Sequence, residues 1–128
     1  MVYTGTHDNS TTRGWFEEPP DYQRQNFWNY LKRPAGESGE AAPALMRLAW
    51  SSVAALAMAP LQDLLNLGRE ARMNVPGRPE GNWRWRSTEG MLSDGAFEGL
   101  RDLTKNSNRS GAVPNPHPGK MLEAVPGA

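Results

Sequence analysis

The sequence predicts an α/β fold built on parallel strands, and three observations point there. Two short segments, residues 2–4 and 52–59, read as strands, and the helical patterns between them make the kind of crossover that joins parallel neighbours. Each is followed by a polar cluster, His7-Asp8-Asn9 after the first and Gln62-Asp63 after the second. Parallel sheets collect chemistry at the carboxyl ends of their strands, so both clusters fall on one face. The composition is also loop-heavy: 13 Gly and 11 Pro in 128 residues, with 38% hydrophobic residues, leave room for only a small core.

In chain order, Val2-Tyr3-Thr4 is β-prone and Gly5 ends it. Residues 11–16 suit one short helical turn before Pro19-Pro20 stops it. Asp21 is placed to cap a helix over residues 22–32, with Phe27, Tyr30 and Leu31 on one face and Pro34 beyond its end. Residues 34–43 read as a loop. A helix over 44–51 follows, with Leu45, Leu48 and Ala49 on its buried side. Residues 52–59 are small and apolar without alternation, as expected of a parallel strand covered on both faces. Pro60 closes that strand, and residues 61–67 give one or two helical turns before Gly68. Residues 69–89 form an ordered loop dense in Asn, Pro, Gly and Trp. Ser93 caps a last helix reaching about residue 105, with Phe97, Leu100 and Leu103 inward. The Pro-rich remainder, 106–128, is expected to be a disordered tail, which divides the chain at 105.

Charge and residue types narrow the function classes. Fourteen basic and fourteen acidic residues cancel, so no net field draws the chain to nucleic acid or an anionic membrane. The longest apolar run, residues 53–61, falls short of the ~20 residues that cross a bilayer. The absence of Cys excludes disulfides and thiolate metal sites and fits the cytoplasm. No basic segment followed by an apolar run marks a secretory leader at the N-terminus. Gly-rich phosphate loops, nucleophile elbows and metal-spaced His clusters are all missing. His117, between two prolines in the tail, is assigned no role.

Three polar clusters remain. His7 and Asp8 stand after a strand, with flexible Gly5 before them and Ser10, Thr11 and Thr12 behind. Asp63, taken alone, is more simply a first-turn carboxylate at a helix N-terminus. The segment from Glu70 to Arg86 packs Arg72, Asn74, Gly77, Gly81, Asn82, Trp83, Trp85 and Arg86 into one loop. Loops on rigid scaffolds carry binding and catalysis. An Asn amide both donates and accepts, and an indole offers a flat apolar platform; both suit sugars.

These segments together resemble the 4-α-glucanotransferases (amylomaltases, or disproportionating enzymes) of glycoside hydrolase family 77. The matching stretches are Tyr-Thr-Gly-Thr-His-Asp-Asn at 3–9 with Thr11 and Gly14-Trp15, Ala-Pro-Leu-Gln-Asp-Leu-Leu at 59–65, and the long run from Gly68 to Arg86. The resemblance covers about residues 2–105. It implies the C-terminal portion of a (β/α)8 TIM-type barrel, about its last two strands with their helices and long loops. Two strands do not make a closed sheet, and a whole barrel takes ~250 residues, so the rest of the barrel is an expected partner. The implied activity is retaining transfer of an α-1,4-glucan segment to the 4-hydroxyl of another sugar, without metal or cofactor, on α-1,4-glucans or maltooligosaccharides.

The resemblance also implies residue roles. Asp8 is the transition-state stabiliser, His7 binds the same sugar, and Asn74 and Arg72 line the substrate site. The family's nucleophile and acid/base carboxylates match nothing here, so the chain alone is expected to be inactive, and no such role is given to Asp63. Ser10 stands where the family often has Asp. Asn66 stands where it usually has Gly and is expected to take a left-handed backbone conformation. Two other readings stay open. One is a stand-alone maltodextrin-binding module using Trp83 and Trp85; the other is a non-catalytic truncated product, which an unfinished sheet favours over the first.

Overall fold

The computed structural model describes residues 1–111. Its elements are β1 (Val2–Tyr3), α1 (Thr12–Glu17), α2 (Asp21–Tyr30), α3 (Ser38–Trp50), β2 (Ala57–Met58), α4 (Leu61–Leu64) and α5 (Asp94–Asn106), with 3-10 turns at Arg69–Ala71 and Glu89–Met91. The strands pair in parallel, as expected, Val2 beside Ala57 and Tyr3 beside Met58. Most of the predicted tail, residues 112–128, lies outside the described residues.

The second strand is much shorter than predicted. Residues 52–55 do not join the ladder: Ser52 still bonds back to Ala49, and Val53 is fully exposed, so pairing begins where Leu56 O accepts the Val2 N–H at 2.9 Å. β1 offers only two residues to pair with, so the ladder ends with it. The expectation of cover on both faces also fails among the described residues. Val2 and Ala57, partners in register, pack on Met46, Ala49 and Trp50 of α3. Tyr3 and Met58, the next pair, point to the opposite face and are about half exposed at 52% and 51%.

α3 is the backbone of the fold and starts earlier than predicted, inside what reads as a loop. Glu40, three residues after Glu37, accepts the Glu37 N–H at 2.8 Å and so fixes the first turn. Ala41 and Ala44 then face one core with Phe16 and Trp28, while Met46, Ala49 and Trp50 face the other with Leu64, Leu100 and Leu103. Ala44 and Ala49 are buried but Leu48 is exposed, against expectation, because a helix meeting cores on two sides still leaves one face to solvent. α2 departs in the same way. Trp28, donating to Gly36 O at 3.1 Å and packed edge-on by Phe16 and Phe27, is its buried residue, and Tyr30 is exposed. Its cap is Pro20, with Asp21 the first helical residue. On α5, Ser93 caps as predicted, accepting from Ala96 N–H, and Leu100 and Leu103 pack inward while Phe97 is exposed. Arg109, beyond that helix, donates to the carbonyls of Trp50 and Ser52 at 2.7 and 2.8 Å and satisfies the end of α3.

Pro43 sits inside α3, a position that removes the N–H due to Gly39 O four residues earlier. Asn66 supplies the missing donor: its Nδ2 reaches Gly39 O at 2.8 Å. Asn66 does so from a left-handed backbone, φ +56°, as predicted for that position. A Gly there would take the turn easily but offer no donor. Replacing Asn66 by Ala should therefore cost about 1–3 kcal/mol, for the orphaned carbonyl and the strained turn. Pro43→Ala restores a backbone donor, so urea titration of the double variant should recover part of that loss; strictly additive losses would refute the pairing.

Candidate functional site

Asp63 builds the platform. It lies in α4, is 2% exposed, and its carboxylate accepts three hydrogen bonds. Thr4 Oγ1 donates at 2.6 Å from the end of β1; Thr12 N–H and Oγ1 donate at 2.8 and 2.7 Å from the start of α1. The carboxylate thus complements a helix N-terminus, as predicted, but that of α1 rather than its own. Thr4 and Thr12 are the two ends of the loop that carries His7 and Asp8. Thr11 caps α1 by accepting from Gly14 N–H at 3.0 Å. Gly14 itself is needed for close approach, since a Cβ there would stand 2.9 Å from Arg69 Cα. Inside the loop, Asn9 Oδ1 accepts from Thr6 N–H and Thr6 Oγ1 at 2.8 and 3.1 Å and folds the chain into a tight turn.

The four residues singled out from the sequence come together. Asn74 Nδ2 donates to Asp8 Oδ1 at 2.7 Å, and His7 Nε2 lies 3.3 Å from the same oxygen. No protein donor meets the other Asp8 oxygen among the described residues. Arg72 donates to Asp8 O at 2.7 Å and to Asn74 O at 2.9 Å, and Asn74 N–H donates to His7 O at 3.1 Å. The two loops are zipped through backbone groups, which leaves the Asp8 carboxylate half exposed. Of the second cluster, Gln62 turns to the site face, donating to Ala71 O at 3.1 Å, whereas Asp63 is spent on the platform.

Sequence reading singled out Trp83 as a possible sugar platform but missed its contact with His7. Its indole stands against His7, ring centroids 5.1 Å apart and planes tilted 38°. Asn82 makes this possible by accepting Val75 N–H at 2.9 Å and donating to Arg78 O at 2.8 Å, which closes the loop on itself. The signal was Gly81-Asn82-Trp83, a turn glycine and an Asx residue immediately before an aromatic. Trp85 makes no ring contact with His7.

Beside His7 runs an open groove of about 530 Å³, lined among others by Tyr3, Met58, Gln62, Arg72 and Met73. Asp8 and Asn74 are not part of its wall. Its floor is the uncovered face of the two strands. No three His, Cys, Asp or Glu side chains gather as metal ligands, and no helix is long and apolar enough to cross a membrane, among the described residues.

Arg72 is the staple between the loops. Arg72→Met should free the Asn74 backbone amide and speed its hydrogen exchange by about tenfold or more, the consequence of losing a charged donor of at least ~1.4 kcal/mol. Unchanged exchange would show that the loops dock without it.

Comparison with known proteins shows the family. The 4-alpha-glucanotransferase family profile, glycoside hydrolase family 77, matches residues 1–92. A 4-alpha-glucanotransferase from Synechocystis is 52% identical over 94 residues, 73% of this chain and 18% of that protein. One from Thermus thermophilus is 46% identical over 112 residues, 85% of this chain and 22% of its own. The fold is similar to part of the amylomaltase from Streptococcus agalactiae solved in complex with acarbose, with a TM-score of 0.75 and 33% identity over 84% of this chain and 22% of that one. The chain spans about a fifth of the length of these relatives. It belongs to the 4-alpha-glucanotransferase family, glycoside hydrolase family 77.

Proposed function

We propose that this chain is the C-terminal part of a 4-α-glucanotransferase barrel and brings Asp8 to a site that cleaves and re-forms α-1,4-glucosidic bonds. The observation that carries the reading is the pairing of Asp8 with Asn74 through one oxygen only. A carboxylate fixed by one oxygen, on a side chain half exposed to solvent, is prepared to accept sugar hydroxyls through the other.

In a retaining transfer, one carboxylate attacks the anomeric carbon while a second, about 5–5.5 Å away, protonates the departing oxygen and later activates the acceptor hydroxyl. Both belong to other strands of the barrel. Asp8 has a different task. The sugar ring flattens as positive charge develops, and hydroxyl contacts that shorten with that flattening lower the barrier. A carboxylate held from behind by Asn74, with its backbone carbonyl held by Arg72, meets that charge without reorganising. His7 stands at the edge of the same oxygen and offers a ring nitrogen to the same sugar.

The uncovered sheet face supports the barrel half of the reading. Tyr3, Leu56 and Met58 are each about half exposed, an unusual position for large apolar side chains on a parallel sheet. The remaining strands would cover them. The same face weighs against a self-sufficient sugar-binding module.

The test is a chimaera in which residues 1–92 replace the matching segment of the Synechocystis relative. It should disproportionate maltotriose, while the 128-residue chain alone should not. Asp8→Asn in the chimaera should lower kcat by about 10²- to 10³-fold with the fold retained. Near-normal turnover in that variant would remove Asp8 from the site; transfer by the chain alone would overturn the division of labour.

A further inference from the structure

We propose that Trp83 is the positioning residue of His7: a strained backbone turn presses its indole on the imidazole and so fixes where His7 stands beside Asp8. The proposal takes from the preceding section only that His7 and Asp8 share a site.

Trp83 has φ +60°, in the left-handed region that a bulky residue rarely enters. Such outliers persist where the surroundings over-determine them. Here the surroundings are specific. Gly77 and Gly81, at φ +82° and +84°, reverse the chain. Asn82 ties the turn to Val75 and Arg78, and Trp83 N–H donates to Met73 O at 2.6 Å. A glycine in place of Trp83 would satisfy every one of these backbone bonds without strain. What the indole adds is its contact with His7, centroid to centroid 5.1 Å.

That contact is not explained as core packing. Trp83 is 50% exposed and the His7 side chain 58% exposed, so little apolar area leaves water. The His7 backbone is held by Asn74, but the backbone bond does not set the side-chain torsions. Beyond Asp8 Oδ1 at 3.3 Å, the imidazole has no polar partner among the described residues. An exposed ring with one long polar contact would change rotamer freely. The tilted indole takes away that freedom on the side facing the loop.

The test uses proton NMR on the complete chain, whose other histidine, His117, is removed by His117→Gln to assign the imidazole signals. In the parent, the indole ring current should displace the His7 ring protons from free-histidine positions, with nuclear Overhauser contacts between the two rings. Trp83→Gly should keep the Asn74 and Val75 amide signals in place and return the His7 protons to free-histidine positions, with χ1 couplings averaged. Trp83→Phe, which restores a ring, should recover most of the displacement and a single χ1 rotamer. His7 couplings unchanged in Trp83→Gly would overturn the proposal. Should the glycine variant lose the loop amides, the Phe variant decides: an averaged His7 over an intact loop overturns the proposal, and a fixed one supports it. Activity of the chimaera with Asp8→Asn speaks to the site reading alone, so the two failures are distinguishable.

Discussion

The Asp63 carboxylate grips Thr4 where β1 ends and Thr12 where α1 begins, and so clamps both ends of the loop between them. Everything at the candidate site depends on that clamp. A buried carboxylate is costly to desolvate unless hydrogen bonds replace its water, and here three donors do so. The loop has little packing of its own; its order comes from the clamped ends, the Asn9 turn and the second loop laid across it. A short flexible segment bearing Gly5 is thereby made into a fixed mount for His7 and Asp8. The side chain that does this is not itself at the chemistry.

A second constraint works through α3. The helix spans both cores, so its register transmits the position of one aromatic cluster to the sheet. Pro43 at its middle would weaken that connection, but the Asn66 side chain replaces the lost bond and ties α3 to the turn after α4. α4 carries Asp63, and the same turn leads into the loop with Arg72 and Asn74. The site is therefore supported from beneath by bonds between segments far apart in sequence, and two exposed loops can meet with defined geometry. Such loops are held where regular elements anchor their ends.

Part of this was legible in the sequence because local chemistry decided it. The two parallel strands and the cap at Ser93 followed from residue types at fixed spacings, whereas the left-handed Asn66 and the choice of His7, Asp8, Arg72 and Asn74 came from the family resemblance. The failures share a cause. The long second strand, the late start of α3 and the buried Tyr30 and Leu48 were read from apolar pattern, which says that a residue is apolar but not which neighbour covers it. Pro43 misled for a related reason, since the bond that rescues it comes from a residue 23 positions later. Asp63 was underestimated because its partners, Thr4 and Thr12, lie more than fifty positions away. Trp83 was noticed as an aromatic in a polar loop, but only a folded loop puts it on His7.

On the proposed reading, the chain supplies a prepared carboxylate rather than a complete reaction centre. Its value would lie in meeting the sugar more strongly when the ring is flattened than when it is relaxed. The direct measurement is calorimetric binding of acarbose and of maltotriose to the chimaera, with and without Asp8→Asn. Acarbose carries a flattened, unsaturated terminal ring, whereas maltotriose has only relaxed chairs. If Asp8 stabilises the transition state, the substitution weakens acarbose by at least about tenfold more than maltotriose, a difference of ~1.4 kcal/mol. Equal losses for the two sugars would contradict that role and leave Asp8 an ordinary binding residue.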